Sequence, residues 1–198
     1  MAFAHSIFLN DVKIILGSQS PRRQELLSAL GFEFELLIPN IDEVYPPDTP
    51  IDSVAAYIAK KKAEALIGRI NEHSILICAD TVVVLDGKII GKPENYAEAK
   101  EMLENLSGKT HKVITSYCIV NKNQYHCNSV ETLVTFNTLK EEEIRYYLEN
   151  GNPYDKAGGY GIQDWIGCIA VHKIAGSYTN VMGFPTAEIF NELKKLGA

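Results

Sequence analysis

Apolar and polar positions alternate along the chain in blocks that predict strands and helices in turn. "VKIILGS" predicts a strand, and "PRRQELLSALG" predicts a helix closed by Gly31. "FEFELLIP" predicts a second strand, and "NIDEVYPPDTP", rich in Pro and Asp, predicts a loop. The stretch "IDSVAAYIAKKKAEALIGRI" predicts a long helix. "SILICADTVVVL" is a continuous apolar run broken by one carboxylate, and "VVVLDGKIIG" predicts a hairpin because Asp86-Gly87 suits a type I′ turn. "YAEAKEMLENLSG" predicts a helix with Gly108 just past its end. "HKVITSYCIV" and "VETLVTF" predict strands joined by the polar "NKNQ" region. "TLKEEEIRYYLENG" predicts a helix with a capping box from Thr138 to Glu141, ending at Gly151. A long glycine-rich segment runs from 151 to 168, "CIAVHKI" predicts a strand, and "PTAEIFNELKKLG" predicts the closing helix. Helices alternate with strands, but hairpins intervene, which implies an α/β protein with a mixed sheet rather than a purely parallel one.

Several residues break this pattern. In "ILGSQSPRRQELL", Ser20 is placed as a helix N-cap and Pro21 as the first helical residue. Arg22 and Arg23 follow, where the helix dipole is positive and acidic residues are normally favoured. Either the two arginines are solvated, or an anion binds there with Ser18 as a further donor, since a helix N-terminus and two guanidinium forks suit phosphate oxygens. Asp80 lies among apolar and small neighbours. A buried carboxylate needs a metal ion, a cation or backbone donors, and capping a turn at the strand end is the alternative. Lys60 and Lys61 read as a solvated run, but Val54, Ile58, Lys62 and Leu66 are successive i, i+4 positions on one stripe. Lys62 therefore projects from the apolar face, either snorkelling outward or reaching toward the sheet. Lys92 in "IIGKP" and Asp42 and Glu43 in the acidic loop carry little weight singly. In "GNPYDKAGGYGIQDWIGC", Gly158, Gly159 and Gly161 would let backbone approach a ligand, and Gln163 has the acceptor and donors to read a nucleobase edge.

Composition narrows the field. A chain of 198 residues buries about 70% of its unfolded surface and needs neither disulfide nor metal to fold. The net charge of −6 disfavours a nucleic-acid or anionic-membrane surface. Cys78, Cys118, Cys127 and Cys168 are scattered and read as ordinary thiols, and the five histidines show no zinc-binding spacing. No apolar stretch approaches about 18 residues and no signal-peptide layout opens the chain, so a cytoplasmic location is expected. Two arginines, two lysines, three carboxylates and one amide suit a nucleoside triphosphate, with cations for its phosphates, carboxylates for Mg²⁺ and an amide for its base.

In order, "SQSPRRQELL", "IDE", "AKKKA", "ADTVV", "GKP", "LSGKTHKV", "DKAGGYGIQ" and "GSYTNVMGFP" resemble the motifs of the Maf family of nucleotide pyrophosphatases, the septum formation inhibitor Maf-like proteins, from about Lys13 to Leu196. The resemblance implies one α/β domain over 1–198, with an elongated mixed sheet flanked by helices and two lobes around a central cleft, similar to the inosine triphosphate pyrophosphatase fold. It implies hydrolysis of a nucleoside triphosphate to the monophosphate and pyrophosphate, assisted by Mg²⁺ or Mn²⁺, and it allows a homodimer. The family's general base falls on Asp80. Its first-motif serine and arginines fall on Ser18, Arg22 and Arg23, its acidic loop residue on Glu43, its helix lysine on Lys62 and its hairpin lysine on Lys92. Asp80 and Glu43 are the implied metal contacts. Arg22, Thr81 and Gln163 match the specificity positions of the branch that takes dTTP and UTP. Gln19 departs from the smaller residue of many relatives, which bears on substrate range only if its side chain faces the phosphates. The alternatives are a house-cleaning pyrophosphatase for modified or non-standard nucleotides, and a nucleotide-binding regulator of cell division.

Overall fold

The computed structural model describes Leu9 and residues 12–122 and 124–196. The elements in chain order are β1 (Lys13–Gly17), α1 (Pro21–Ala29), β2 (Phe34–Leu36), α2 (Val54–Leu66), β3 (Ser74–Leu85), β4 (Lys88–Ile90) and α3 (Tyr96–Leu106). They continue with β5 (Thr110–Asn121), β6 (Gln124–Phe136), α4 (Glu141–Asn150), α5 (Trp165–Ala170), β7 (Val171–Ala175), α6 (Tyr178–Val181) and α7 (Thr186–Leu196). The strands form one seven-stranded sheet, ordered β2-β1-β3-β5-β6-β7, with β4 paired to β3. β1 runs parallel to β2 and β3, whereas β4 lies antiparallel to β3 and β7 antiparallel to β6. The mixed α/β class is therefore as the alternation of elements implies. Among the described residues, no helix is long and apolar enough to cross a membrane.

The chain divides into two compact units, each assembled from separate stretches. Of the described residues, the first holds Leu9, 12–80, 115–122, 124–130 and 183–196. Strand alternation layers it. Ile14, Leu16, Ile75, Ile77 and Ala79 point to one side and pack with Leu27 of α1 and Phe184, Ile189 and Leu193. Ile15, Leu76 and Cys78 point to the other side and pack with Ala59, Ala63 and Leu66 of α2. A strand covered on both faces reads as an unbroken apolar run, which is why "SILICA" shows no alternation. The same period of two puts Asp80 on the α2 side, next after Cys78. Gly17 closes this layer, since a Cβ there would collide with Cys78 Sγ and the Leu66 side chain.

The second unit holds Thr81–Ile114 and Glu131–Met182. One core joins Val83 and Leu85 of β3, Leu103 and Leu106 of α3, Val134 and Phe136 of β6, and Ile144, Tyr147 and Leu148 of α4 to Tyr160, Ile162 and Ile166. The β3–β4 hairpin turns at Asp86 and Gly87, both at positive φ (50° and 73°), as the Asp-Gly pair predicts.

Four local expectations are corrected. "CIAVHKI" is not one strand: the amides of Gly167 and Cys168 donate to the Asp164 carbonyl, starting helix α5, and β7 begins only at Val171. "FEFELLIP" contributes three strand residues, because β2 pairs only along β1. The capping of α4 lies two residues later than Thr138–Glu141 suggests, with the Lys140 amide donating to Glu143 Oε2 at 2.8 Å. The cysteines are not all free thiols: Cys118 on β5 and Cys127 on β6 form a disulfide, leaving Cys78 buried and Cys168 exposed.

His111 on β5 is buried in the second unit, its Nε2 2.7 Å from the Tyr160 hydroxyl and its ring edge-on to Phe136 and Tyr160. Burial pushes its pKa down to about 4. An exposed imidazole titrates near 6.5, so the folded state binds fewer protons than the unfolded chain once the pH falls below that value. The His111 contribution is fully present above about pH 6.5 and is lost as the pH falls toward 4, a span worth roughly 3 kcal/mol. Denaturant unfolding at pH 7 and pH 4.5 should therefore show a marked acid loss of stability that His111→Gln reduces. An equal acid loss in both proteins would refute this origin.

Candidate functional site

The stripe Val54, Ile58, Lys62, Leu66 is buried along its whole length, with Lys62 only 6% exposed. Leu66 packs on β1 and β3 and Val54 and Ile58 are buried on the same stripe, which carries Lys62 inward with them. There the Lys62 ammonium meets Asp80: Nζ donates to Asp80 Oδ1 at 2.7 Å. It also pairs with Glu43 Oε1 at 2.6 Å. The Asp80 side chain is 10% exposed and that of Glu43 45%, so the triad runs from the interior to the surface. Lys62 thus reaches the sheet and does not snorkel. Lys61, one residue earlier, takes a different task from the solvated one its neighbours suggest. Its Nζ donates to the carbonyls of Asp42 (2.9 Å) and Val44 (3.3 Å) on either side of Glu43, tying the acidic loop to α2.

The turn between β1 and α1 supplies the next residues. Ser20 caps α1 by its backbone conformation, Pro21 is the first helical residue, and no acidic residue occupies the first turn. Ser18, which is buried, turns its hydroxyl inward, where Oγ accepts from the Ser20 amide (3.1 Å) and from an Arg23 guanidinium nitrogen (3.4 Å). Arg23 Nε donates to the Gly183 carbonyl at 2.9 Å. The guanidinium is therefore held from two directions. Gln19 has an exposed side chain, and its backbone carbonyl accepts from the Gln24 side-chain Nε2 at 3.5 Å.

Electrostatics tie the turn to the triad. Burial pushes the Asp80 carboxyl above the usual carboxylate range, and the charges of Lys62 and Arg23 pull it back. Burial likewise lowers Arg23, opposed by Asp80 and Glu43 and reinforced by Arg22. Cys78, which shares the α2 side of β3, is pushed up to about 12 by burial and stays a thiol at neutral pH. The arrangement offers a proton acceptor of raised basicity and fixed cations, with no competing thiolate nucleophile.

Ser18, Arg22, Arg23, Glu43, Lys62 and Asp80 are thus gathered within the first unit. Thr81, Lys92 and Gln163 belong to the second. Thr81 is half-buried on β3, Lys92 is exposed after β4, and Gln163 is half-buried with its Oε1 buried and unpaired. The glycines near it serve packing: Gly158 and Gly159 take positive φ (72° and 70°) in a tight turn beside Val83, Leu106, Pro93 and Met102. Two participants have little sequence signal. Lys61 resembles any exposed lysine, and the Gly183 carbonyl belongs to backbone 160 residues from Arg23.

The profile of the Maf-like protein family matches residues 13–196. A dTTP/UTP pyrophosphatase of Porphyromonas gingivalis is 50% identical over 192 residues, covering 96% of each chain. One from Phocaeicola vulgatus is 49% identical over 189 residues, covering 95% of this chain and 98% of its own. The solved structure of the Staphylococcus aureus Ham1 protein overlays with a TM-score of 0.50 at 15% identity, covering 91% of this chain and 99% of that one, a likeness of fold. The chain belongs to the Maf-like protein family.

Proposed function

We propose that this protein hydrolyses dTTP and UTP to the nucleoside monophosphate and pyrophosphate. The observation that carries the reading is the buried Asp80 carboxylate, raised by burial and held beside Lys62 and Arg23. A general base works best when its pKa approaches the working pH, and a carboxylate reaches that range through burial. Asp80 accepts a proton from water as the water oxygen bonds to the α-phosphorus. The bond from that phosphorus to the α,β-bridging oxygen breaks, and pyrophosphate leaves with the electron pair. Arg23, fixed by Ser18 and Gly183, and Lys62 offset negative charge that builds on the phosphates, with Arg22 and Lys92 as further cations. Arg22, Thr81 and Gln163 take the selection of the base.

Asp80 and Glu43 fit a hard divalent cation, being oxygen donors that already share one ammonium. Among the described residues, no group of three or more His, Cys, Asp or Glu could hold a metal. Mg²⁺ or Mn²⁺ would complete its shell with water and phosphate oxygens, and when bound it neutralises charge on the triphosphate. A cytoplasmic location and a homodimer belong to the same reading and rest on the family.

A nucleotide panel with pyrophosphate detection, run with and without Mg²⁺ and Mn²⁺, should rank dTTP and UTP first; preference for purine or modified triphosphates would make the protein a house-cleaning enzyme instead. Asp80→Asn should lower kcat by about 10²–10⁴-fold while the protein stays folded, and retained turnover would refute the base assignment. Lys62→Met removes a charge that holds Asp80 down, so the acidic limb of kcat/KM should move to higher pH, and an unmoved limb would detach Lys62 from Asp80.

A further inference from the structure

We infer that Lys156 is a positioning residue for Gln163, setting the selectivity for the base without touching substrate; this rests on Gln163 being the base reader. Lys156 is only 7% exposed, and no step of the hydrolysis uses it. Its Nζ donates to the Asn152 carbonyl at 2.5 Å and to Asp155 Oδ1 at 2.8 Å. It also lies 3.4 Å from Asp164 Oδ2. An ammonium has three N–H donors, and three acceptors surround this one. A phosphate could bind it only by displacing them, so Lys156 organises its own loop.

That loop carries Gln163. The Asp164 amide donates to the Gly161 carbonyl at 3.0 Å, closing a four-residue turn whose central residues are Ile162 and Gln163. Lys156 grips both ends of the turn. At one end it pairs with the Asp164 carboxylate, which also accepts from the Tyr147 hydroxyl at 3.4 Å. At the other end its stem lies against Gly161, where an added Cβ would stand 2.9 Å from Lys156 Cε and 2.5 Å from Asp164 Oδ2. Ile162 is sunk in the core, and Gly167 permits the approach of the Ile162 backbone, where any Cβ would collide. The turn is therefore clamped below by packing and across its ends by one buried cation. Gln163 sits on it with no side-chain tether of its own at Oε1. Loss of the cation leaves the Asp155 and Asp164 carboxylates to repel, which opens the turn and releases Gln163.

The test compares kcat and KM for UTP and CTP, which differ at the base edge, in wild type, Lys156→Met, Lys156→Arg, Gln163→Ala and the Lys156→Met/Gln163→Ala double variant. Lys156→Met should lower the UTP-to-CTP ratio of kcat/KM by roughly 10-fold, since about an ångström of misplacement suffices for effects of that order or larger. Lys156→Arg should restore part of the ratio. The double variant should match Gln163→Ala alone, because there is then nothing left to position. If Lys156→Met does not fold, Asp164→Asn weakens the same clamp with little change of shape and should lower the ratio in the same direction. An unchanged ratio in the clamp variants, or equal loss for both nucleotides, overturns the positioning role while Gln163→Ala still flattens the ratio. A ratio indifferent to Gln163→Ala instead overturns base reading by Gln163, and the proposal with it.

Discussion

The bond between Lys62 and Asp80 is the constraint around which the first unit is arranged. A carboxylate on a strand covered on both faces is costly, by several kcal/mol in effective terms, unless a cation meets it. The cation must come from the layer that covers that face, and here the layer is α2. Val54, Ile58 and Leu66 seat the helix by ordinary apolar burial, and the same stripe delivers Lys62. Gly17 lets α2 and β1 close together beside it. Glu43 then caps the other side of the ammonium. Replacing such a cluster with apolar residues commonly leaves a protein equally stable or more so. Its presence is therefore better explained by what a raised, cation-flanked carboxylate can do than by what it adds to folding.

A buried lysine recurs in the second unit with a different consequence. Lys62 leaves part of its environment facing the surface through a half-exposed Glu43. Lys156 has its three donors matched to acceptors of its own loop. The same flexible stem and compact charge thus join two carboxylates in one place and close a loop in the other.

Periodicity made the Lys62 assignment readable. Three consecutive lysines differ only by their angle on the helix, and a spacing of four residues separates the inward one from its neighbours. Asp80 was equally legible, because a carboxylate in an apolar run announces a partner. The helix start at Pro21 and the hairpin at Asp86-Gly87 followed from backbone preferences that act locally. What escaped depends on particular contacts that neither periodicity nor local backbone preference encodes. Helix α5 in place of a longer strand starts from the Gly167 and Cys168 amides bonding to the Asp164 carbonyl, which an apolar run of helix or strand length does not encode. The disulfide depends on the register of β6 against β5, and Lys61 on where a loop happens to run. In the glycine-rich segment, the bare Gly161 makes room for the Asp164 carboxylate and the Lys156 stem of the same chain, which glycine content does not announce.

The two adjacent lysines of α2 give the acidic loop a definite mechanical status. Lys61 holds the loop backbone at the carbonyls flanking Glu43, and Lys62 holds the Glu43 side chain. Both attachments come from one turn of one helix, so α2 holds the loop at Glu43 by backbone and side chain together. An isolated exposed ion pair contributes little, because ordering two long side chains offsets the attraction. Here the backbone is already restrained on both sides of Glu43, so bringing its carboxylate to Lys62 orders little more than one side chain. A proline-rich loop that would otherwise sample many conformations thereby presents one carboxylate at a fixed place beside a second. That is the requirement for two acidic groups to share a cation, as Asp80 and Glu43 share the Lys62 ammonium.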